Sequence, residues 1–439
     1  MQKEKSVFFP LFSRIKKSEH YSILFFTLKW LFIATIIGLL AGTTSALFLW
    51  VLDLATNYRE ANFYIIALLP IGGLLIGLFY HYLGKGVEAG NNQILEEIEN
   101  PQKVIPLKMA PLVFIGTVLT HLFGGSAGRE GTAVQISAAI SDQFTRLFKF
   151  KPRDRKILLI IGISAGFASV FGTPLAGAVF GLEVFLIGRL RYDAIFPSFI
   201  AAIIADYITT LWGISHIHYK IPFIPEINIL NILFSIIAGL SFGLTARIFG
   251  KAIHLTMDVF KNKITHPPLR PLIGGIIIAG FVFSTQSTRY IGLGLPVITQ
   301  AFEQEMPFYE FIIKLALTAI TLGASFKGGE VTPLFFIGAT LGSALSFFIP
   351  FPVALLAGMG FVAVLAGAAN TPLAATLVAI ELFGLQIGVY AAIACVVSYL
   401  FSGHSGIYSA QTIGSSKHIV FIREEGKKLI EIKNFRKKH

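Results

Sequence analysis

Thr173-Pro174-Leu175-Ala176, with Glu183 nine residues after its proline, returns as Thr371-Pro372-Leu373-Ala374 with Glu381 in the same place. Upstream, Gly128-Arg129-Glu130-Gly131-Thr132 is matched by Gly328-Gly329-Glu330-Val331-Thr332, the two sharing Gly-x-Glu-x-Thr. The offsets are 198 and 200 residues, so order and spacing persist across half the chain and duplication is the better reading. If each half crosses a membrane an odd number of times the repeats are inverted, and if even they are parallel; the residues leave both open.

The membrane itself follows from composition. Of 439 residues 54% are hydrophobic and only 14% charged, where a soluble domain carries about 25% charged residues. Apolar stretches from Phe25 to Leu400 supply roughly a dozen spans at about 20 residues each. The net charge of +12 is clustered. Residues 1–20 carry +3, residues 146–156 carry +5 and residues 411–439 carry +5. That is the positive-inside pattern of cytoplasmic loops and tails, which places both termini in the cytoplasm. A nucleic-acid partner would need a basic face on a soluble module, so none is expected. The Phe25–Leu52 segment is too long for a signal peptide and is read as retained. Cys395, the single cysteine, permits no internal disulfide or cysteine-based metal centre and reads as a small buried hydrophobe. No metal or cofactor is expected.

Four regions result: a cytoplasmic tail over 1–24, a first repeat half over 25–260, a second over 261–410 and a basic cytoplasmic tail over 411–439. The boundary is set at the polar stretch Lys261 to Pro271. The fold class is an all-α polytopic membrane protein of two homologous repeats, with broken helices meeting at a midplane anion site.

Glycine, 42 residues in all, gathers around the repeated glutamates. Close helix packing accounts for pairs such as Gly124/Gly128 and Gly177/Gly181. The runs Gly124 to Gly131 and Gly323 to Gly329 read instead as breaks in helices, tolerated only where backbone is buried or lines a cavity. A helix from Glu130 to the basic loop at 146–156 is roughly 25 Å long, so it starts inside the bilayer. Its free N–H groups and positive end make an anion site. The Glu330 segment repeats the design. A carboxylate at such a depth is a functional candidate, weighed against a plain ion pair of Glu130 with Arg129. Glu183 and Glu381, late in proline-started helices, suit a structural role such as capping a partner helix.

At Gly128-Arg129-Glu130-Gly131 the chain resembles the CLC family of chloride channels and proton-coupled anion antiporters, from the Phe25 segment to Tyr408. The departures from the chloride-transporting pattern are specific. Glu88-Ala89-Gly90-Asn91-Asn92 stands for Gly-Ser-Gly-Ile-Pro, Thr132 replaces a proline, Glu330 and Thr332 replace apolar residues, and Val184 takes the place of an inner glutamate. They are similar to the fluoride-exporting branch, although that branch often has methionine where Ala89 stands. The resemblance implies inverted repeats, a homodimer with one pathway in each subunit, and fluoride and protons as the transported ions.

Fluoride is small, strongly hydrated and a strong acceptor, so its site needs donors. Asn91, Thr132, Thr332 and Tyr408 offer them, with the backbone of Gly128, Arg129, Gly131 and Val331 completing the anion-binding set that the resemblance implies. By residue type alone Asn91 and Asn92 also suit a helix cap, and Tyr408 an interfacial aromatic belt. An anion about 4 Å from Glu130 favours the protonated acid by about 4 kcal/mol at an effective dielectric of about 20. Reciprocally, an ionised Glu130 competes for the anion site, so one side chain acts as gate and proton carrier, with Glu330 the second candidate for proton transfer.

Two other readings compete. A chloride/proton antiporter or chloride channel of the same family is the nearer one, supported by Ala89. An intramembrane serine hydrolase is suggested by Gly124-Gly125-Ser126-Ala127-Gly128 and Gly162-Ile163-Ser164-Ala165-Gly166, although a nucleophile elbow needs a preceding strand. Gly358-x-Gly360-x-x-Ala363 imitates a dinucleotide fingerprint without the surrounding βαβ unit. The expectation is a transporter, not an enzyme, in the inner membrane of the cell.

Overall fold

The structure, a computed structural model, describes residues 19–438; most of the N-terminal tail assigned to 1–24 lies outside them. The first eight α-helices are α1 (Glu19–Ala61), α2 (Leu69–Leu83), α3 (Asn91–Glu99), α4 (Met109–Phe123), α5 (Glu130–Leu147), α6 (Pro152–Phe171), α7 (Pro174–Glu183) and α8 (Ile195–Leu211). The next eight are α9 (Ile229–Lys263), α10 (Leu269–Thr285), α11 (Leu295–Glu303), α12 (Tyr309–Gly323), α13 (Val331–Leu345), α14 (Val353–Ala369), α15 (Pro372–Phe383) and α16 (Gly388–Phe401). From α2 and α10 onward, each helix starts about 200 residues before its counterpart, the spacing of a tandem duplication.

Packing repeats with the sequence. α1 lies on α4, α6 and α8, and α9 lies on α12, α14 and α16. α9 is therefore the counterpart of α1, and the halves meet in residues 212–228, not at Lys261 to Pro271. The polar stretch misled because the long α9 ends in Lys261 and Lys263, a basic last turn that suits a helix C-terminus. The true connection is short and carries Pro222 and Pro225.

Proline in the first turn starts α2, α6, α7, α11 and α15, where its missing N–H costs nothing. The spans His20–Ala61, Phe63–Leu83, Tyr192–Leu211 and Ile229–Lys263 are long and apolar enough to cross a membrane. They expose large hydrophobic side chains, among them Phe25, Phe32, Leu47, Leu230, Leu244 and Leu255, the pattern of a lipid-facing surface. α14 is the opposite case, buried from Ala354 to Ala369 and apolar all round, as a helix at the centre of a bundle must be. Gly358 and Gly360 belong to this helix, and Gly360 touches the backbone of Gly338, which explains the imitation fingerprint as packing. Cys395 is buried and free.

The repeats run in opposite directions. Glu183, at the end of α7, accepts the N–H groups of Leu373 and Ala374 at 3.1 and 2.9 Å, capping α15. Glu381, late in α15, accepts those of Leu175 and Ala176 at 2.9 and 2.8 Å, capping α7. Each helix thus lays its carboxylate on the other's N-terminus, which requires an antiparallel pair and satisfies four orphan donors.

The C-terminal segment is folded against this body. Strand β1 (Leu186–Ile187) pairs in parallel with β2 (Thr412–Ile413), and α17 (Leu429–Lys438) closes the chain. Ion pairs join Lys29 to Asp154, Arg155 to Glu97 and Lys428 to Glu96, so the 146–156 loop, α3 and the tail share one face.

Candidate functional site

Two breaks form the centre. α4 stops at Gly124, a left-handed cap with φ +96°, and α5 begins at Glu130; α12 stops at Gly323 and α13 begins at Val331. The intervening loops touch backbone to backbone. Gly128 N–H donates to Gly329 O at 2.6 Å and Gly329 N–H to Gly128 O at 2.7 Å, an antiparallel bridge across the two repeats. Nothing larger fits there. A Cβ on Gly128 would stand 2.9 Å from Glu130 Oε2 and 3.0 Å from Gly329 O, and one on Gly131 would stand 2.9 Å from Asn91 Nδ2. Glycine at these points lets two helix N-termini and their donors converge.

Glu130, 1% exposed, uses that convergence. Thr332 Oγ1 donates to it at 2.6 Å from Oε1 and 2.7 Å from Oε2, and Thr332 N–H donates to Oε2 at 3.1 Å. Arg129 N–H adds a fourth contact at 3.2 Å, while the Arg129 guanidinium stays 3.8 Å away at Nε. The carboxylate is therefore held chiefly by the N-terminus of the opposite helix, α13. The ion pair with its neighbour is the weaker partner.

Glu330 breaks the symmetry. Its counterpart carboxylate does not cap α5, and Oε2 is buried with no hydrogen-bond partner. It faces Gly131, as does the amide of Asn91, whose Oδ1 is likewise unpartnered. Asn91 opens α3 without capping it, whereas Asn92 accepts Ala410 N–H at 3.0 Å and ties α3 to the segment after Tyr408. Tyr408, 4% exposed, is buried and close enough for both glutamates to act on it electrostatically, which excludes an interfacial belt position.

Thr132 lies in the first turn of α5, but its hydroxyl pairs with that of Thr117 at 2.7 Å. What it presents toward the break is backbone rather than side chain. Val331 is the first residue of α13 and is 1% exposed. Two residues that sequence reading missed stand close by. Gln135 donates to Gly131 O at 3.1 Å and lies against Gly90. His216, in the 212–228 connection, lines a cavity with Arg129, Glu130, Tyr219 and Thr332. A glutamine one helical turn after Gly131 was readable as a helix neighbour; a lone histidine in a loop carried no signal.

The serine motifs are spent on structure. Ser126 Oγ donates to Tyr290 O at 2.9 Å and meets Thr318 Oγ1 at 2.9 Å, and Ser164 Oγ donates to Ala178 O at 3.2 Å. α4 precedes the first and α6 contains the second, so neither sits on a strand-to-helix elbow.

Inverted repeats whose broken helices meet over buried acids define a membrane ion transporter. The chain belongs to the CLC family: the profile described as "Voltage gated chloride channel" matches residues 72–403. A "Chloride/fluoride channel protein" of Pseudomonas syringae pv. tomato is 51% identical over 429 residues, covering 96% of this chain and 95% of that protein. The crystal structure of a CLC-type fluoride/proton antiporter superposes with a TM-score of 0.85 at 32% identity, over 90% of this chain and 99% of that one. A slow cyanobacterial Cl⁻/H⁺ antiporter shares the fold, with a TM-score of 0.74 at 20% identity over 93% and 97% of the two chains.

Proposed function

We propose that this protein is a fluoride/proton antiporter that exports fluoride from the cytoplasm, driven by inward proton flow. The observation that carries the reading is the Glu130 carboxylate on the N-terminus of α13, bonded to the N–H and hydroxyl of Thr332. A carboxylate there is the protein's own anion in an anion site. When Glu130 takes a proton it loses the charge that holds it, and the donors of Thr332 pass to fluoride. When fluoride leaves, the site again favours ionised Glu130. Exchange follows because the two anions compete for one set of donors.

The remaining roles follow from position. Asn91 and the backbone of Gly128, Arg129, Gly131, Thr132 and Val331 supply donors along the pathway, Tyr408 supplies a hydroxyl, and Glu330, with its unpartnered oxygen, relays the proton on the tail side. Likeness to a fluoride/proton antiporter at 32% identity supports this reading, as does the name of the Pseudomonas relative. The protein works as a homodimer with a pathway in each subunit, in the inner membrane, with both termini in the cytoplasm and its exposed apolar helices in lipid.

Purified protein in liposomes tests the proposal. A fluoride gradient is expected to drive protons uphill, and fluoride efflux to exceed chloride efflux by at least about tenfold, the discrimination that well-placed buried donors supply. Chloride flux equal to or above that of fluoride would support the chloride reading. Fluoride flux that moves no protons would make it a channel.

A further inference from the structure

The connection between the repeats is more than a linker. Residues 212–228 lie at the end of the molecule opposite the tail, since α8 leads up to them from the side of β1 and α9 leads back to Lys261 and Lys263. Ile217 and His218 are exposed there, while Tyr219 turns inward and is buried. Between these residues and Glu130 runs the cavity lined also by Arg129, Phe171 and Thr332. It is the approach to the gate from that end.

His216 stands in its wall with its chemistry already arranged. Its side chain is 9% exposed and packs on Gly172, the left-handed cap of α6 at φ +71°, where any Cβ would collide with the ring. The ring lies beside the carbonyl of Val170, near the end of α6. Nε2 has no partner and is 3.9 Å from Asp206 Oδ1, which has none either. An unpartnered ring nitrogen with a carboxylate 3.9 Å away, in the wall of the cavity that runs from this connection to Glu130, is arranged to take up a proton.

We propose that His216, backed by Asp206, is the proton port on this side of the membrane: Nε2 accepts a proton from solvent and returns it to the Glu130 carboxylate. Uptake of the proton makes the imidazole a cation, and its delivery to the Glu130 carboxylate returns the ring to neutral and leaves Glu130 a neutral acid. The inference rests on the antiport reading. The groups facing His216 are Arg129 and Glu130 from α5, Asp206 from α8, His218 on its own segment and Tyr219; Glu381 of α15 lies beyond Asp206 and is committed to capping α7. Burial, and after it the charges of Arg129 and His218, push the imidazole down to about 4. A proton taken up there does not rest. It is passed on, as a relay requires.

The test uses the full chain in liposomes and the initial rate of fluoride-driven proton movement between about pH 3 and pH 7, a window that spans the lowered value of His216, about 4. His216→Asn keeps a polar side chain of similar reach but cannot titrate. Expected is a coupled rate about tenfold lower, a flattened rise on acidification, and unchanged fluoride binding and fluoride-to-proton ratio, a modest loss for general acid–base work. In His216→Ala, added imidazole is expected to restore the rate, which a packing role would not allow. Asp206→Asn is expected to slow exchange about threefold. Wild-type rates and pH dependence in His216→Asn would overturn the assignment, and so would slow exchange in His216→Ala that imidazole leaves unchanged. A wild-type protein that moves fluoride without protons would remove the antiport reading first, and that outcome is distinct from either.

Discussion

Glu130 and Glu330 occupy matching places in the two repeats and have opposite surroundings. Glu130 has four donor contacts, from Thr332 and the Arg129 backbone; Glu330 has a buried oxygen with none. The first is therefore seated among donors of the opposite helix, while the second keeps one buried oxygen open to a partner. Glu130→Gln keeps the size and one carbonyl acceptor but can neither titrate nor compete as an anion. It is expected to abolish fluoride-driven proton pumping, a loss of at least about 100-fold in coupled rate by the usual worth of a general acid–base group. Coupled exchange surviving in that variant would take Glu130 out of the mechanism. Glu330→Gln is expected to leave a folded protein by gel filtration and to cut coupled exchange about tenfold or more. Normal exchange would mean that the proton passes on the tail side by another route.

Among the helices, α7 and α15 hold the two repeats together by exchanging carboxylate caps, and these caps touch neither Glu130 nor Thr332. Glu183→Gln leaves one neutral acceptor for two N–H groups, so it is expected to lower stability by about 1–2 kcal/mol, as lost caps do, with coupled exchange retained in the folded fraction. Thermal unfolding in detergent and paired flux assays separate the two effects. The tail is held by a different device. His404 Nδ1 meets Glu424 Oε2 at 2.6 Å, while His404 Nε2 accepts Lys417 N–H at 3.2 Å, an arrangement only a neutral ring with its proton on Nδ1 satisfies. Burial holds this histidine below its ordinary value of 6.5 against the pull of Glu424. Burial alone would raise Glu424, but hydrogen bonds from Arg436 and His404 outweigh it and hold the acid below the usual range. Both folded values are depressed, so the unfolded segment binds more protons and docking weakens as pH falls, first through 6.5 for His404 and then through the lowered range of Glu424. Protection of the backbone amides over residues 413–438, taken relative to their intrinsic exchange at each pH, is expected to fall between about pH 7 and pH 5, and His404→Asn to reduce that dependence. Protection that is flat with pH would show that this contact does not hold the tail.

At the scale of the whole molecule, what the sequence made legible was what duplication and polarity write into it. Two ordered motif pairs located the helix breaks, and the spacing from Glu130 to the basic loop put one helix N-terminus at depth. The antiparallel capping by Glu183 and Glu381 was readable as a structural role because each followed a proline-started helix at one spacing. What pairs across the repeats was not readable. That Glu130 reaches Thr332, that Thr132 turns its hydroxyl to Thr117, and that His216 lines the cavity beside Glu130 all depend on where distant segments pack. The boundary was misplaced because a charged helix end resembles a linker. Every named part of the candidate pathway, from His216 through Glu130 to Glu330 and Tyr408, belongs to one chain, so the proposed homodimer would hold two complete sets. Mixing wild-type and Glu130→Gln subunits in equal amounts is therefore expected to leave about half of the coupled exchange, in linear proportion to intact subunits within a symmetric assembly. A fall to about a quarter, the share of dimers with two intact subunits, would instead mean that the subunits turn over together and that the pathway is a property of the pair.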